Sequence, residues 1–139
     1  MGPIFDKQVC YSLYSTSSVI TQAYRSLLGP LKLTYPQFVV MMALWQKDNI
    51  SVTELAETIG LSKSTMTPLL KRLELLGYLT REFEVGDERQ KSIRLTSLGR
   101  SLASDADNVA QQALCATGLT DDEAEQLIGL CKKVKVALS

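Results

Sequence analysis

The 139-residue chain contains no histidine. That absence removes the commonest nitrogen ligand for zinc, together with hydrolysis by a His-based triad and His-dependent general acid–base chemistry. Cysteine is sparse: Cys10, Cys115 and Cys131 are an odd number at wide spacing with no CxxC. This argues against a secreted disulfide framework and makes a poor metal site, so neither metal nor cofactor is expected. No apolar run approaches the length of a membrane span, and MGPIFDKQVC lacks the basic-then-apolar layout of a signal peptide. The expectation is a cytoplasmic protein with no membrane partner. An excess of positive charge is missing as well. Lys+Arg and Asp+Glu both number 15, so any phosphate-binding surface must come from local separation of charge.

What is present is helical periodicity. Apolar residues make up 45% of the chain and charged ones 22%, enough to bury a core and stay soluble. Phe5 to Leu28 reads as one long amphipathic helix with apolar positions at Val9, Leu13, Ile20, Tyr24, Leu27 and Leu28, stopped by Gly29-Pro30. Thr34 or Tyr35 caps the next helix, with Pro36 in its first turn, and Gln37 to Gln46 is apolar nearly all round, as a core helix is. Lys47 to Asn49 is a turn, and Ile50 to Val52 is a candidate short strand. Thr53 is the expected cap of ELAETIG, which Gly60 ends. Ser62 caps Lys63 to Leu76, whose buried face is Met66, Leu69, Leu70, Leu73 and Leu76. Lys63, Ser64, Thr65, Thr67, Lys71 and Arg72 are left mainly on the other side, where short polar and basic side chains suit phosphates and base edges. A merely solvated helix face is the plainer reading of the same residues. Pro68 lies inside this helix and should bend it, without a reason visible in the sequence.

Gly77 ends that helix. Tyr78 to Val85 and Lys91 to Leu95 read as strands joined by Gly86 to Gln90. Arg89 at the turn suits a narrow minor groove, Asp87 can hold it, and Lys91 adds a cation. Thr96 begins a helix running to about Ala116, and the Thr120–Glu123 pair is a capping box for Asp121 to Leu138. The order helix–turn–helix–hairpin over residues 50–96 is that of a winged helix-turn-helix, whose second helix enters the DNA major groove. The expected fold is mainly α with a small β-hairpin, one unit over residues 1–139. The helices of residues 1–30 and 97–139 have too little of this small module to bury against. They are expected to form a homodimer, which sets two reading helices about one DNA turn apart on a pseudo-palindromic, double-stranded operator.

LTYPQFVVMMALW, STMTPLLKRLELLGYLTR and GDERQKSIRLTSLGR resemble the MarR family of dimeric winged-helix repressors. TYPQ, TPLLKRL and the N-terminal CYSLYS resemble, more narrowly, its organic-hydroperoxide-sensing OhrR branch. The resemblance implies that Cys10 is the reactive cysteine and that the Tyr24 and Tyr35 hydroxyls bond to its sulfur, one of them across the dimer, with Tyr14 nearby. It implies that Cys115 is the resolving cysteine, attacking from the other subunit. Cys131 has no counterpart and, on the apolar face of the last helix, is expected to be a packing residue. Phenol hydroxyls stabilise a thiolate without histidine, and oxidation by an organic hydroperoxide, then an intersubunit disulfide, would release DNA. The alternatives are a MarR-type repressor released by a small aromatic ligand, a thiol peroxidase, and a winged helix used only for protein contacts.

Overall fold

The computed structural model describes the backbone of residues 1–84 and 87–139 and the side chains of residues 1–83 and 92–139. A 3-10 turn at Phe5–Lys7 leads into α1 (Val9–Leu28). The single helix expected from Phe5 is thus interrupted. Gln8 is extended (φ −92°, ψ 125°), and the Phe5 ring meets Tyr11 edge-on with centroids 5.1 Å apart. After α1 a second 3-10 turn, Gly29–Leu31, ends on the left-handed Lys32, and Leu28, Leu31 and Leu33 are all buried. Thr34 caps α2 (Tyr35–Gln46) through a capping box: its hydroxyl accepts the Gln37 N–H, and the Gln37 side chain accepts the Thr34 N–H at 3.0 Å.

Strand β1 (Ile50–Ser51) runs directly into α3 (Val52–Ile59). The cap of α3 is Ser51 and not Thr53: the Ser51 hydroxyl accepts the Glu54 N–H at 3.1 Å. Pairing in β1 holds Ser51 extended, the conformation an N-cap needs, and so decides between two residues of equal local aptitude. Left-handed Gly60 (φ 84°) ends α3, and Ser62 caps α4 (Lys63–Leu75). Strands β2 (Leu79–Glu84) and β3 (Asp87–Leu95) complete an antiparallel sheet of order β1-β3-β2, with Ile50 opposite Ile93 and Leu79 opposite Leu95. These four side chains face the core, while Thr80 and Arg94 alternate outward.

The helix expected from Ser97 to Ala116 is two, α5 (Ser97–Ser101) and α6 (Ala103–Ala116), with the break at Leu102. Here the Gly99 carbonyl accepts the Trp45 indole N–H at 2.9 Å, a tie to α2 that competes with the helical ladder. The last helix, α7 (Asp121–Leu138), starts on the Thr120–Glu123 capping box. Phe38, Met41 and Leu44 of α2 meet Leu55, Met66, Leu70, Leu73, Leu79 and Ile93 in the core. By contrast α1 buries only Leu28, and α7 buries nothing. Val9, Leu13, Val19, Leu127, Ile128 and Leu130 are left exposed along those two helices. Among the described residues, no single helix is long and apolar enough to cross a membrane.

Candidate functional site

The exposed face of α4 is built from its cap upward. Ser62 accepts the Thr65 N–H at 3.2 Å, and its hydroxyl also meets those of Ser64 (3.0 Å) and Thr65 (2.9 Å). One turn on, the Thr67 hydroxyl donates to the Lys63 carbonyl at 2.9 Å. Lys63, Ser64, Thr65, Thr67, Lys71 and Arg72 are all exposed, while Met66, Leu70 and Leu73 anchor the opposite face. The structure therefore assembles the whole predicted set on one helix, with hydroxyls pre-ordered near the N-terminus and cations along its length. Pro68 lies on this exposed side. Its missing N–H frees the Ser64 carbonyl where water reaches it, which makes the proline tolerable in mid-helix. Replacing Lys71 by alanine should weaken duplex DNA binding by a similar factor for any sequence and lower the salt-dependence slope by about 1, read by fluorescence anisotropy across salt concentrations.

Asp87, Arg89 and Lys91 lie on β3 by backbone, and their side chains lie outside the described residues. The expected turn of Gly86 to Gln90 is shorter on its C-terminal side, because β3 already begins at Asp87; Val85 and Gly86 lie outside the described residues. Asp87 and Arg89 thus belong to a strand. The register shifts between Phe83, opposite Lys91, and Glu84, opposite Asp87. At the hairpin's other end Arg81 pairs with Glu74 at 3.1 Å, fastening β2 to α4. Asp48, Asn49 and Arg100 bond to the same hairpin along β3, near its exit. Sequence reasoning missed these three; the only signal was a charged, turn-forming pair ahead of a predicted strand.

Cys10 is the second residue of α1 and is exposed, and Tyr14, one turn on, is exposed as well. No side chain caps this helix start, and no acidic residue lies in its first turn. The Tyr24 and Tyr35 rings meet at a tilt, centroids 4.7 Å apart, and Tyr24 meets Phe38 at 5.8 Å. Burial, and secondarily Tyr35, push the Tyr24 phenol above its usual range, so it keeps its proton and remains a donor. Cys10 and Tyr24 are fourteen residues apart on one helix, about 21 Å along the axis. Within one chain the structure does not bring the cysteine to the tyrosine pair. Cys115 is exposed at the end of α6, and all three cysteines are free. Cys131, expected to pack on the apolar face of the last helix, is half-buried there. It lines a cavity of about 590 Å³ between α1 and α7, with Leu13, Ile20, Tyr35, Leu127 and Val134.

The model of the MarR family matches residues 33–91. The HTH-type transcriptional regulator TtmR of Methylorubrum extorquens is 42% identical over 123 residues, 88% of this chain and 63% of that protein; the chain thus spans less than two thirds of that relative's length. The organic hydroperoxide resistance transcriptional regulator of Bacillus subtilis is 35% identical over 133 residues, 96% of this chain and 86% of its own length. AbfR of Staphylococcus epidermidis, reduced and bound to DNA, superposes with a TM-score of 0.80 at 28% identity, covering 96% of this chain and 93% of that one. Disulfide-formed AbfR superposes with a TM-score of 0.68 at the same identity, covering 96% and 88%.

Proposed function

We propose that this chain, which belongs to the MarR family of DNA-binding transcriptional regulators, is a homodimeric repressor that organic hydroperoxides release from its operator by oxidising Cys10. The observation that carries the reading is an exposed Cys10 in the uncapped first turn of α1, in a chain alike over 96% of its length to an organic hydroperoxide resistance regulator.

The Cys10 thiolate attacks the peroxide O–O bond. The sulfur takes the distal oxygen, becoming a sulfenic acid, and the hydroperoxide leaves as its alcohol after taking up a proton. The Cys115 thiol of the second copy then displaces that oxygen as water, leaving an intersubunit disulfide. The geometry of α1 sharpens the role of the tyrosines. Because Tyr24 lies about 21 Å from its own Cys10 and the Tyr35 ring packs against that of Tyr24, both hydroxyls serve the second copy's sulfur. The resemblance had implied one from each subunit. The dimer surface is supplied by the apolar side chains that α1 and α7 leave exposed. In each half of it, α4 sets Lys63, Ser64, Thr65, Thr67, Lys71 and Arg72 against the major groove, and the hairpin carries Asp87, Arg89 and Lys91 beside it.

Non-reducing peptide mass analysis after cumene hydroperoxide tests this directly. A linked pair containing Cys10 and Cys115 is expected, with a covalent dimer by electrophoresis. Overoxidised Cys10 without any link would remove Cys115 from the mechanism, and an untouched Cys10 would remove the thiol switch. A second reading, release by a small apolar molecule, is favoured by the cavity beside Cys131, whose volume lies in the range of ligand sites. It predicts release that survives loss of Cys10.

A further inference from the structure

Strand β3 is flanked by β1 only as far as Ile50 opposite Ile93 and Ser51 opposite Ser92. Continuing that register two residues back along the chain places Asp48 opposite Leu95. The Asp48 side chain stands in there for a strand. Its Oδ1 accepts the Leu95 N–H at 2.8 Å, along with the Asn49 N–H at 2.7 Å. Arg100, on α5, supplies the other half: it donates to the Leu95 carbonyl at 3.0 Å and pairs with Asp48 Oδ2 at 3.7 Å. Asn49, held left-handed at φ 57°, accepts from Ser92 at 3.1 Å and from Arg94 at 3.4 Å.

We propose that Asp48 and Arg100, seconded by Asn49, form a clamp that sets the angle of the β2–β3 hairpin toward DNA, so that they are positioning residues for contacts made farther out. The proposal rests on the reading of the hairpin as a DNA contact. The physical case is leverage. From Leu95 to Asp87 the strand extends about 26 Å, so a tilt of about 10° at its root displaces the far end by about 4–5 Å. That exceeds the tolerance of a hydrogen bond to a phosphate or base. Backbone pairing with two-residue β1 is short for such a lever, and the clamp bonds β3 where β1 has ended. Its charged side chains also join three segments that a backbone ladder would not: the α2–β1 turn, the exit of β3, and α5.

The test is a double-mutant cycle on the full-length reduced dimer, with a duplex selected from random sequence by the wild-type protein as the probe. Arg89→Ala should weaken binding about tenfold in the wild-type background. Asp48→Ala and Arg100→Ala should each weaken it about five- to tenfold and lower the salt slope. In either background Arg89→Ala should then cost less than about twofold more, because the misaimed hairpin no longer makes the contact. Asp48→Asn retains an acceptor for the Leu95 N–H and should recover most of the loss. Lys71→Ala, on α4, should stay additive with all of them. Arg100 is 57% exposed in its side chain, so its variant folds even if Asp48→Ala does not. Additive losses from Arg89→Ala in the Arg100→Ala background would overturn the clamp, whereas in the Asp48→Asn background, where the clamp is largely kept, Arg89→Ala should cost nearly its full wild-type factor. If Arg89→Ala and Lys91→Ala cost nothing in the wild type, it is the hairpin contact itself that fails, and the clamp falls with it.

Discussion

Replacing Cys10 with serine should leave affinity for operator DNA within about twofold of the wild type in reducing buffer and abolish release by cumene hydroperoxide. The wild type, by contrast, should lose at least about tenfold in affinity on oxidation, a coupling of ordinary size for a two-state regulator. The first half follows from position: Cys10 is exposed and anchors nothing in the core, so the substitution costs the fold about 0.5 kcal/mol or less. The second half follows from chemistry. The nucleophile is a thiolate, and a serine hydroxyl in the same place neither ionises at neutral pH nor takes oxygen from a peroxide. Two controls separate the thiols. Cys131→Ser should respond as the wild type does, because that residue is half-buried in the wall of a cavity whose lining does not include the exposed Cys10. Cys115→Ser should still be oxidised at Cys10, by mass, but should form no covalent dimer. Full release of Cys10→Ser by hydroperoxide would sink the thiol switch.

The same experiment bears on how oxidation reaches DNA. Disulfide-formed AbfR superposes less well on this chain than reduced, DNA-bound AbfR does, with TM-scores of 0.68 and 0.80. In that relative the two redox forms therefore differ in their likeness to the present conformation. In this chain Cys10 and Cys115 sit on helices outside the reading head, Cys10 in the first turn of α1 and Cys115 in the last turn of α6. A crosslink there acts on α1 and α6, and through α5 it reaches Arg100 and the root of β3.

Much of this was legible in local patterns. The Ser62 cap, the Thr120–Glu123 box and the buried stripe of Met66, Leu70 and Leu73 depend only on neighbours three or four residues away, and the structure has them where the spacing predicts. What was not legible depends on distant partners. Ser51 takes the cap from Thr53 because β3 pairs with it. The amphipathic pattern runs unbroken through Leu102, and the break there accompanies a bond from Trp45, fifty-four residues away in sequence. Asp48 gave no more signal than any turn carboxylate, since its partner Leu95 N–H is forty-seven residues on. The separation of Cys10 from Tyr24 could be counted from the sequence once both are placed on one helix. The packing of the Tyr35 ring against Tyr24, which takes the second hydroxyl away as well, could not.

Among alanine replacements of the described glycines, Gly99→Ala should be the most damaging, lowering stability by about 3 kcal/mol or more and the melting temperature by roughly 6–12 °C. A Cβ at Gly99 would lie 2.0 Å from the Tyr78 carbonyl oxygen and 3.0 Å from its carbon. Both are backbone atoms with nowhere to go. The Tyr78 carbonyl accepts the Thr96 N–H at 3.1 Å, its own N–H donates to Leu73 at 3.0 Å, and its buried hydroxyl donates to the Leu31 carbonyl at 2.7 Å. Gly99 is held from the other side by the Trp45 bond to its carbonyl. The final glycine of the LT-x-x-G stretch is therefore required by close backbone approach, at a backbone conformation any residue could adopt. Gly29→Ala is the matched control: nothing lies within 4 Å of a Cβ there and the backbone is already helical (φ −50°, ψ −49°), so it should melt at or slightly above the wild type. A Gly99→Ala protein melting within a degree or two of the wild type would show that the α5–β2 contact can open at little cost. The tie of α5 to the base of the hairpin would then be too soft for Arg100, the next residue, to aim it.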